Sequence, residues 1–397
     1  MNKTIKDPNI WRVYGATFAL GLAYGVALSL IAIFLDARGF DKTSIGTLAA
    51  WFASGIVLFS LPMGALIRRF SAKTILFVSL AGYAAAVGAF AFADGYAAIA
   101  AIRFCDGAFS VGIWVSSETI LLSRAESGQK AFVTSLYAIA LAVGYVVGPI
   151  AARGLAAVAP LTTAFLVASG IAASTALFVA LRLDPDLRHE ADVPTASSGS
   201  ASRAVLWRIK TSCFATFCYG YFQSSVVLFL PLFLIAQKHV AKEQTIVIPA
   251  FFAGGMLLFS NVAGRLGDRV GHLRVMRVLA VVGLSMILGF VLLDSYAAMC
   301  AAVFVAGASL ASISPVSLAL QGVVCQRRDF SRATSIYNAF YAAGMLLGPP
   351  ISSVLFQRLG GGAMLIHLAG LWGAFVLFSV VFAADDPASR VPLIRSA

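Results

Sequence analysis

The chain has 397 residues, 60% of them hydrophobic and only 12% charged, whereas a soluble domain carries about 25% charged residues. Together with a mean hydropathy of +0.90, this excludes an ordinary soluble enzyme and implies an integral membrane protein. The 29 Lys and Arg against 17 Asp and Glu give a formal charge of +12, which suggests a nucleic-acid partner only until the charges are located along the chain.

Apolar segments fall near 11–35, 44–67, 74–93, 96–121, 131–152, 161–182, 207–236, 246–266, 275–293, 296–321, 333–356 and 363–383. Each is close to the roughly 20 residues that a membrane-spanning helix needs, so the expected fold is all-α with twelve transmembrane helices. Lys3, Lys6 and Arg12 precede a first run too long for the apolar core of a signal peptide, so that segment is expected to stay in the membrane. Most connections are short. The exception is 183–206, polar and rich in Ser, Ala and Asp over most of its length, which reads as a cytoplasmic linker between a bundle at 1–182 and a second at 207–397.

With the N-terminus inside, the inner loops and ends hold 22 of the 29 basic residues, among them Arg68, Arg69, Lys73, Arg124, Lys130, Arg265, Arg269, Arg274, Arg277, Arg327, Arg328 and Arg332. The outer loops hold Arg38, Lys42, Arg153, Lys238, Lys242 and Arg358. The basic excess is therefore positive-inside topology with both termini cytoplasmic, and no nucleic-acid partner is expected. Short loops and a compact chain suggest a bacterial inner membrane. Cys105, Cys213, Cys218, Cys300 and Cys325 lie in or beside apolar segments without metal-ligand spacing, so neither a metal nor another cofactor is expected.

The two halves repeat one another at an offset of 200. Thr134-Ser135-Leu136-Tyr137 matches Thr334-Ser335-Ile336-Tyr337, and Asp94 and Tyr96 match Asp294 and Tyr296. Gly144, Gly148 and Pro149 match Gly344, Gly348 and Pro349, six positions that read as close-packing or hinge sites in helices five and eleven. Parallel six-helix repeats usually hold their substrate near mid-membrane.

One segment breaks the symmetry. The fourth apolar stretch carries Arg103, Asp106 and Glu118, where the second half has Val303, Ala306 and Leu318. A charge at mid-depth costs at least about 2.5–3.5 kcal/mol, and such residues usually face a bundle interior or a water-filled cavity. At 100° per residue Asp106 and Glu118 fall within about 60° of Arg103, so all three can share one broad face. Two readings fit: Arg103 controls a protonatable carboxylate, Asp106 or Glu118, or Arg103 and Asp106 form a structural ion pair and Glu118 is solvated near the inner interface.

The loop Gly264-Arg-Leu266-Gly-Asp268-Arg269-Val-Gly271-His-Leu-Arg274 resembles the inner-loop signature of the major facilitator superfamily, and the resemblance extends over essentially the whole chain. It implies a loop that latches the cytoplasmic side through Gly264, Asp268, Arg269, Gly271 and Arg274, with Asp268 expected near the start of helix nine. The first-half copy keeps Gly64, Leu66, Arg69 and Lys73 but has Arg68 for the acid and Ser71 for the second glycine. Arg69 is the residue there that could serve the latch. The helix-five string around Gly144, Gly148 and Pro149 is similar to a pattern associated with antiporter-type members, departing from it at Ala152 and Arg153. Arg103 and Gly107 resemble an element of helix four linked in the family to proton coupling, and the longer string through Trp114 and Glu118 looks like small bacterial efflux-type permeases.

What the resemblance implies is a secondary transporter, not an enzyme, working by alternating access as a monomer in the bilayer. The favoured activity is proton-coupled export of a small amphipathic molecule; the alternative is a proton symporter or uniporter importing a metabolite. Helices one, four, seven and ten line the cavity in the family, which makes Tyr24, Trp114, Tyr221, Gln223 and Ser224 the candidate substrate contacts, with interhelical hydrogen bonding or interfacial anchoring as the alternative reading for such polar and aromatic residues. Pro231 and Pro315 are expected to break helices seven and ten, as hinges or as ordinary kinks, and His367, alone in helix twelve, reads as a satisfied packing residue rather than a proton relay.

Overall fold

The computed structural model describes residues 5, 7–126, 130–185, 199–325 and 329–387. Lys3, Lys6, Arg327, Arg328 and residues 186–198 of the expected linker lie outside that set. The described chain is helical: α1 Pro8–Ala37, α2 Lys42–Phe70, α3 Ala72–Phe90, α4 Tyr96–Arg124, α5 Lys130–Val158, α6 Leu161–Arg182, α7 Gly199–Lys238, a short α8 Lys242–Thr245, α9 Ile248–Val270, α10 His272–Leu292, α11 Tyr296–Ala306, α12 Ile313–Val324, α13 Phe330–Leu359 and α14 Gly361–Val381. A π-helical turn, Gly307–Ala311, joins α11 to α12. Among the described residues there are twelve stretches long and apolar enough to cross a membrane.

The chain forms two compact units, one of Met1–Val193 with Ala241–Ala250 and one of Pro194–Val240 with Phe251–Ala397. In the first, α1 starts where Pro8 needs no hydrogen-bond acceptor and the Asp7 carboxylate accepts from the Asn9 N–H at 2.8 Å, a capping arrangement that satisfies an otherwise orphaned donor. Asp41 does the same for α2 through the Ser44 N–H at 2.8 Å.

Within each unit the helices meet backbone to backbone at glycines. A Cβ built on Gly55 of α2 would lie 2.1 Å from the Phe104 carbonyl of α4, and one on Gly144 of α5 would lie 2.6 Å from Gly21 of α1. The second unit repeats both contacts: Gly255 against the Phe304 carbonyl at 2.0 Å and Gly344 against the Phe217 carbonyl at 2.3 Å. Lipid offers no hydrophobic drive for association, so close approach and dispersion must hold such helices together. The repeat extends to ion pairs, Arg38 with Asp94 at 3.8 Å and Lys238 with Asp294 at 3.0 Å. Both cations also cap carbonyls at the ends of α3 and α10, Arg38 on Ala91 and Ala93 and Lys238 on Val291, where the helix dipole favours positive charge.

The prolines behave differently from one another. Pro315 lies in the first turn of α12, and its ring would crowd the carbonyl of Ala311; the π-helical turn ends at that residue. Pro231 does not break its helix, because α7 runs unbroken from Gly199 to Lys238. Its flanks, Phe229, Leu230, Leu232 and Phe233, are all buried, and packing of that kind tolerates one lost backbone bond in a membrane helix.

Candidate functional site

Arg103 and Asp106 project from one face of α4 into the interior of the first unit and are 6% and 5% exposed. The Arg103 guanidinium donates to Asp106 Oδ2, and its central carbon lies 4.4 Å from the centroid of the Phe52 ring on α2. One turn further on, the Ser110 hydroxyl donates to Asp106 Oδ1 at 3.4 Å, and the Tyr24 hydroxyl of α1 donates to Ser110 Oγ. The carboxylate therefore has a guanidinium on one oxygen and a hydroxyl chain leading to α1 on the other. Removing either charge would leave its partner buried and uncompensated, which typically costs about 3–5 kcal/mol.

Aromatic rings surround this chain. The Tyr24 ring lies 4.7 Å from Tyr83 of α3, 6.3 Å from Trp114 and 6.2 Å from Tyr145 of α5. A small cavity is lined by Tyr24, Phe52, Tyr83, Arg103, Asp106 and Phe165, among others, and about 10 Å³ of it can hold the centre of a water molecule. That is room for about one water, far too little for a cargo molecule. The Tyr83 hydroxyl is buried beside it without a hydrogen-bond partner among the described residues. The arrangement can hold a proton or a water next to a paired carboxylate.

Glu118 does not join the pair. It sits about 18 Å along α4 from Asp106 by helical rise and is exposed. Trp114, one turn before it, has a buried indole N–H without a partner among the described residues.

Of the candidates in the second unit, Tyr221 and Gln223 bond to neighbouring helices of that unit and Ser224 to its own. Tyr221 is 4% exposed, and its hydroxyl lies 2.8 Å from His367 Nε2 of α14, which gives the His367 ring a hydrogen-bond partner. Gln223 accepts from the Tyr341 hydroxyl of α13 at 3.0 Å, and Ser224 donates to the Gly220 carbonyl at 2.8 Å. Gly348 packs against the Tyr221 carbonyl, where a Cβ would lie 2.5 Å away, while Gly148 of the first unit packs on Gly25. Pro149 and Pro349 both lie inside continuous helices.

At the loop with the signature, Gly264 has open space around it, and Arg269 and Arg274 are exposed. Asp268 lies in the last turn of α9, not at the start of the following helix, because α9 continues to Val270 and the chain turns at Gly271 with φ +98°. The Asp268 carboxylate meets His272 Nε2 at 3.1 Å, and the N-terminus of α10 is capped instead by Asp386, which accepts from the Leu273 N–H at 2.9 Å. In the first unit Ser71 occupies the place of Gly271 with φ +80°, and Arg69 is exposed with its guanidinium over the Phe70 ring at 5.2 Å.

A third cluster lies where α1 begins and α4 and α6 end. Arg124 pairs with Asp7 at 3.2 Å, Arg12 pairs with Asp184 at 3.2 Å, and Asn9 bridges the two acids. Partial burial works to raise the Asp7 carboxyl, but hydrogen bonds from Asn9 and Arg124 and the Arg124 charge outweigh it and hold it below the usual range. Asp184 is held down chiefly by the Asn9 hydrogen bond, with Arg12 and Arg124 adding to it.

A family model described as Major Facilitator Superfamily matches residues 13–212 and 212–396. The chain belongs to the major facilitator superfamily. Relatives from Shigella flexneri and Escherichia coli, each named an uncharacterized MFS-type transporter YcaD, are 24% identical over 375 residues, spanning 93% of this chain and 94% of theirs. A bacterial homolog of the human lysosomal transporter Spinster superposes with a TM-score of 0.78 at 14% identity, covering 96% of each chain. The nucleoside transporter NupG gives 0.75 at 15% identity over 96% of this chain and 99% of that one. At these identities the likeness carries the fold. Family and fold make this major facilitator a multi-pass membrane protein and a secondary transporter rather than an enzyme.

Sequence patterns pointed to Arg103, Asp106 and Trp114 but missed Ser110 and Tyr83. Ser110 was accessible, since it follows Asp106 by four residues on the same helical face. Tyr83 carries no local signal at all.

Proposed function

We propose that this transporter exchanges protons for a small amphipathic molecule, exporting it by alternating access across a bacterial inner membrane with both termini cytoplasmic. The observation that carries the reading is the Arg103–Asp106 pair, a full ion pair inside an apolar bundle, tied by Ser110 to Tyr24 of another helix. Purely structural needs are met more cheaply by apolar packing, since replacing a buried pair with hydrophobic residues is often neutral or stabilising.

A proton arriving at Asp106 removes its negative charge and weakens its hold on Arg103. The guanidinium keeps its contact with Phe52, and the α4–α1 connection through Ser110 and Tyr24 changes with the charge on Asp106. Arg103 and Asp106 thus sense protonation, and Glu118, open and further along the same helix, is the second carboxylate available for exchange. In this account the Gly264–Arg274 loop and Arg69 act as the cytoplasmic latch, and Gly144, Gly148, Pro149, Gly344, Gly348 and Pro349 provide the packing surfaces on which helices shift. The protein works as a monomer.

Everted membrane vesicles energised to be acidic inside, with a pH-sensitive dye, test the reading. A compound from a panel of lipophilic cations, neutral antibiotics, sugars and organic acids should discharge the gradient, and Arg103→Ala should abolish that response. A cargo that crosses the membrane at the same rate with the gradient collapsed would overturn it in favour of uniport; co-movement of proton and cargo in one direction would favour import by symport.

A further inference from the structure

We infer that Tyr83 of α3 belongs to the Arg103–Asp106 site: its hydroxyl holds a single water in the cavity beside the pair, and Asp106 takes up and releases its proton through that water. The water's presence is independent of the transport reading above; what the water does rests on it.

The cavity has the size and the chemistry for one water. About 10 Å³ of it can hold the centre of a water molecule, which is roughly what one water needs if it also finds two to four polar partners. Helices α1, α2, α3, α4 and α6 all contribute to the wall, yet among the described residues its polar side chains are Tyr24, Tyr83, Arg103 and Asp106 alone; α2 and α6 present Phe52 and Phe165. The Tyr24 hydroxyl already donates to Ser110 Oγ. Arg103 and Ser110 occupy two acceptor positions of the Asp106 carboxylate, which has about four, so the carboxylate is open to a further donor. Tyr83 is 1% exposed and its hydroxyl bonds to no described residue, although a buried tyrosine O–H usually finds a partner. Its ring lies 4.7 Å from that of Tyr24, which keeps it beside the cavity. A water there serves the hydroxyl and the carboxylate together. A metal cation in the same space would be repelled by the Arg103 guanidinium, and any larger ligand does not fit.

The second half of the chain builds the same place without polar groups. At the offset of 200, Tyr83 answers to Gly283, Arg103 to Val303, Asp106 to Ala306 and Ser110 to Leu310. There the Leu310 side chain lies against Gly283, so closely that a Cβ on the glycine would come within 2.1 Å of Leu310 Cδ2. Packing alone therefore does not require the polar set of the first unit. With the water in place, the Tyr83 hydroxyl fixes its position and the water donates to Asp106. A proton reaching the water passes to the carboxylate and leaves a water behind; release runs in reverse. Tyr83 is thus a positioning residue, acting on Asp106 through the water.

Infrared difference spectra between acidic and neutral pH test this on the purified full-length protein in detergent, in ordinary water and in water carrying the heavy oxygen isotope. Wild type should show an O–H band that shifts on isotope exchange and is absent in Asp106→Asn. Tyr83→Phe keeps the ring and its stacking on Tyr24, so a merely structural role would leave the band in place; the variant should lose it. In everted vesicles the same variant should slow the cargo-driven proton response about tenfold, the scale of one lost hydrogen bond. Ala86→Val adds apolar bulk at the cavity wall while keeping the hydroxyl, and should remove the band as well; it decides alone should Tyr83→Phe fail to fold. Absence of any isotope-sensitive band that depends on Asp106, or a wild-type band in Tyr83→Phe, overturns the proposal. A band lost in Tyr83→Phe with the proton response intact overturns the water's role in proton transfer. A water band that depends on Asp106 and Tyr83, in a protein that moves no protons, upholds the site and sinks antiport. A proton response lost in Arg103→Ala, with Tyr83→Phe like wild type in response and band, sinks this inference alone.

Discussion

Ser71 is held at φ +80° and ψ 149° between α2 and α3, a region of backbone space that is nearly reserved for glycine. The equivalent junction between α9 and α10 uses Gly271 at φ +98° and ψ 133°. Strain of this kind costs about 1–3 kcal/mol. In partial compensation, Ser71 Oγ accepts from the Thr74 N–H at 3.2 Å and lies 3.0 Å from Thr74 Oγ1. Replacing a serine cap by glycine loses only a few tenths of a kcal/mol, and the freer unfolded chain costs about 0.4–1 kcal/mol more. Ser71→Gly should therefore stabilise the protein by about 1 kcal/mol and raise its Tm by roughly 2–4 °C, read by thermal unfolding in detergent. Gly271→Ser should do the reverse and by more, because it introduces the strain where none exists. A Ser71→Gly protein that melts below wild type, or a Gly271→Ser protein that melts with it, would refute the reasoning.

Asp106→Asn leaves the Arg103 guanidinium buried without a counter-charge and should cost about 3–5 kcal/mol; adding Arg103→Gln should recover most of the lost Tm while transport stays proton-independent, measured by melting curves and vesicle assays. Gly144→Ala drives a methyl into the α1 backbone and should lower the Tm, whereas Gly264→Ala meets open space and should leave the Tm unchanged. Asp7 and Asp184 have carboxyls held below the usual 3.8, so their contribution is present above about pH 4 and is lost as pH falls through their native values. Melting curves between pH 5 and 3 should drop less steeply in the Asp7→Asn, Asp184→Asn double variant than in wild type.

How much of this was legible in the sequence depends on the range of the interaction. The twelve spans follow from apolar runs, and the repeat at offset 200 showed that the two halves share one build, while paired contacts such as Gly55 with Phe104 and Gly255 with Phe304 come from the structure. The i,i+3 spacing of Arg103 and Asp106 allowed their pairing, because a helix fixes local geometry. Contacts between distant segments were not legible: Tyr221 meets His367 across 146 residues, Tyr24 meets Ser110 across 86, and Asn9 meets Asp184 across 175. No spacing rule ties such residues together, since they lie on different helices or beyond helix ends, and their meeting depends on how the helices pack. Asp268 was misplaced for a different reason. Its position in the loop signature suggested a helix start, but Gly267 and Arg269 continue α9 and only the positive φ of Gly271 ends it.

The central claim is that charge on the Arg103–Asp106 pair is exchanged for cargo. The most direct measurement reconstitutes wild type and Arg103→Ala, Asp106→Asn variants into liposomes with a trapped pH indicator and applies, as a gradient, the compound that discharges the vesicle gradient. Wild type should move protons against the flow of that compound, and the variants should bind it yet move no protons. Proton movement that persists in both variants, or flux of the compound in wild type with no pH change at all, would contradict the account.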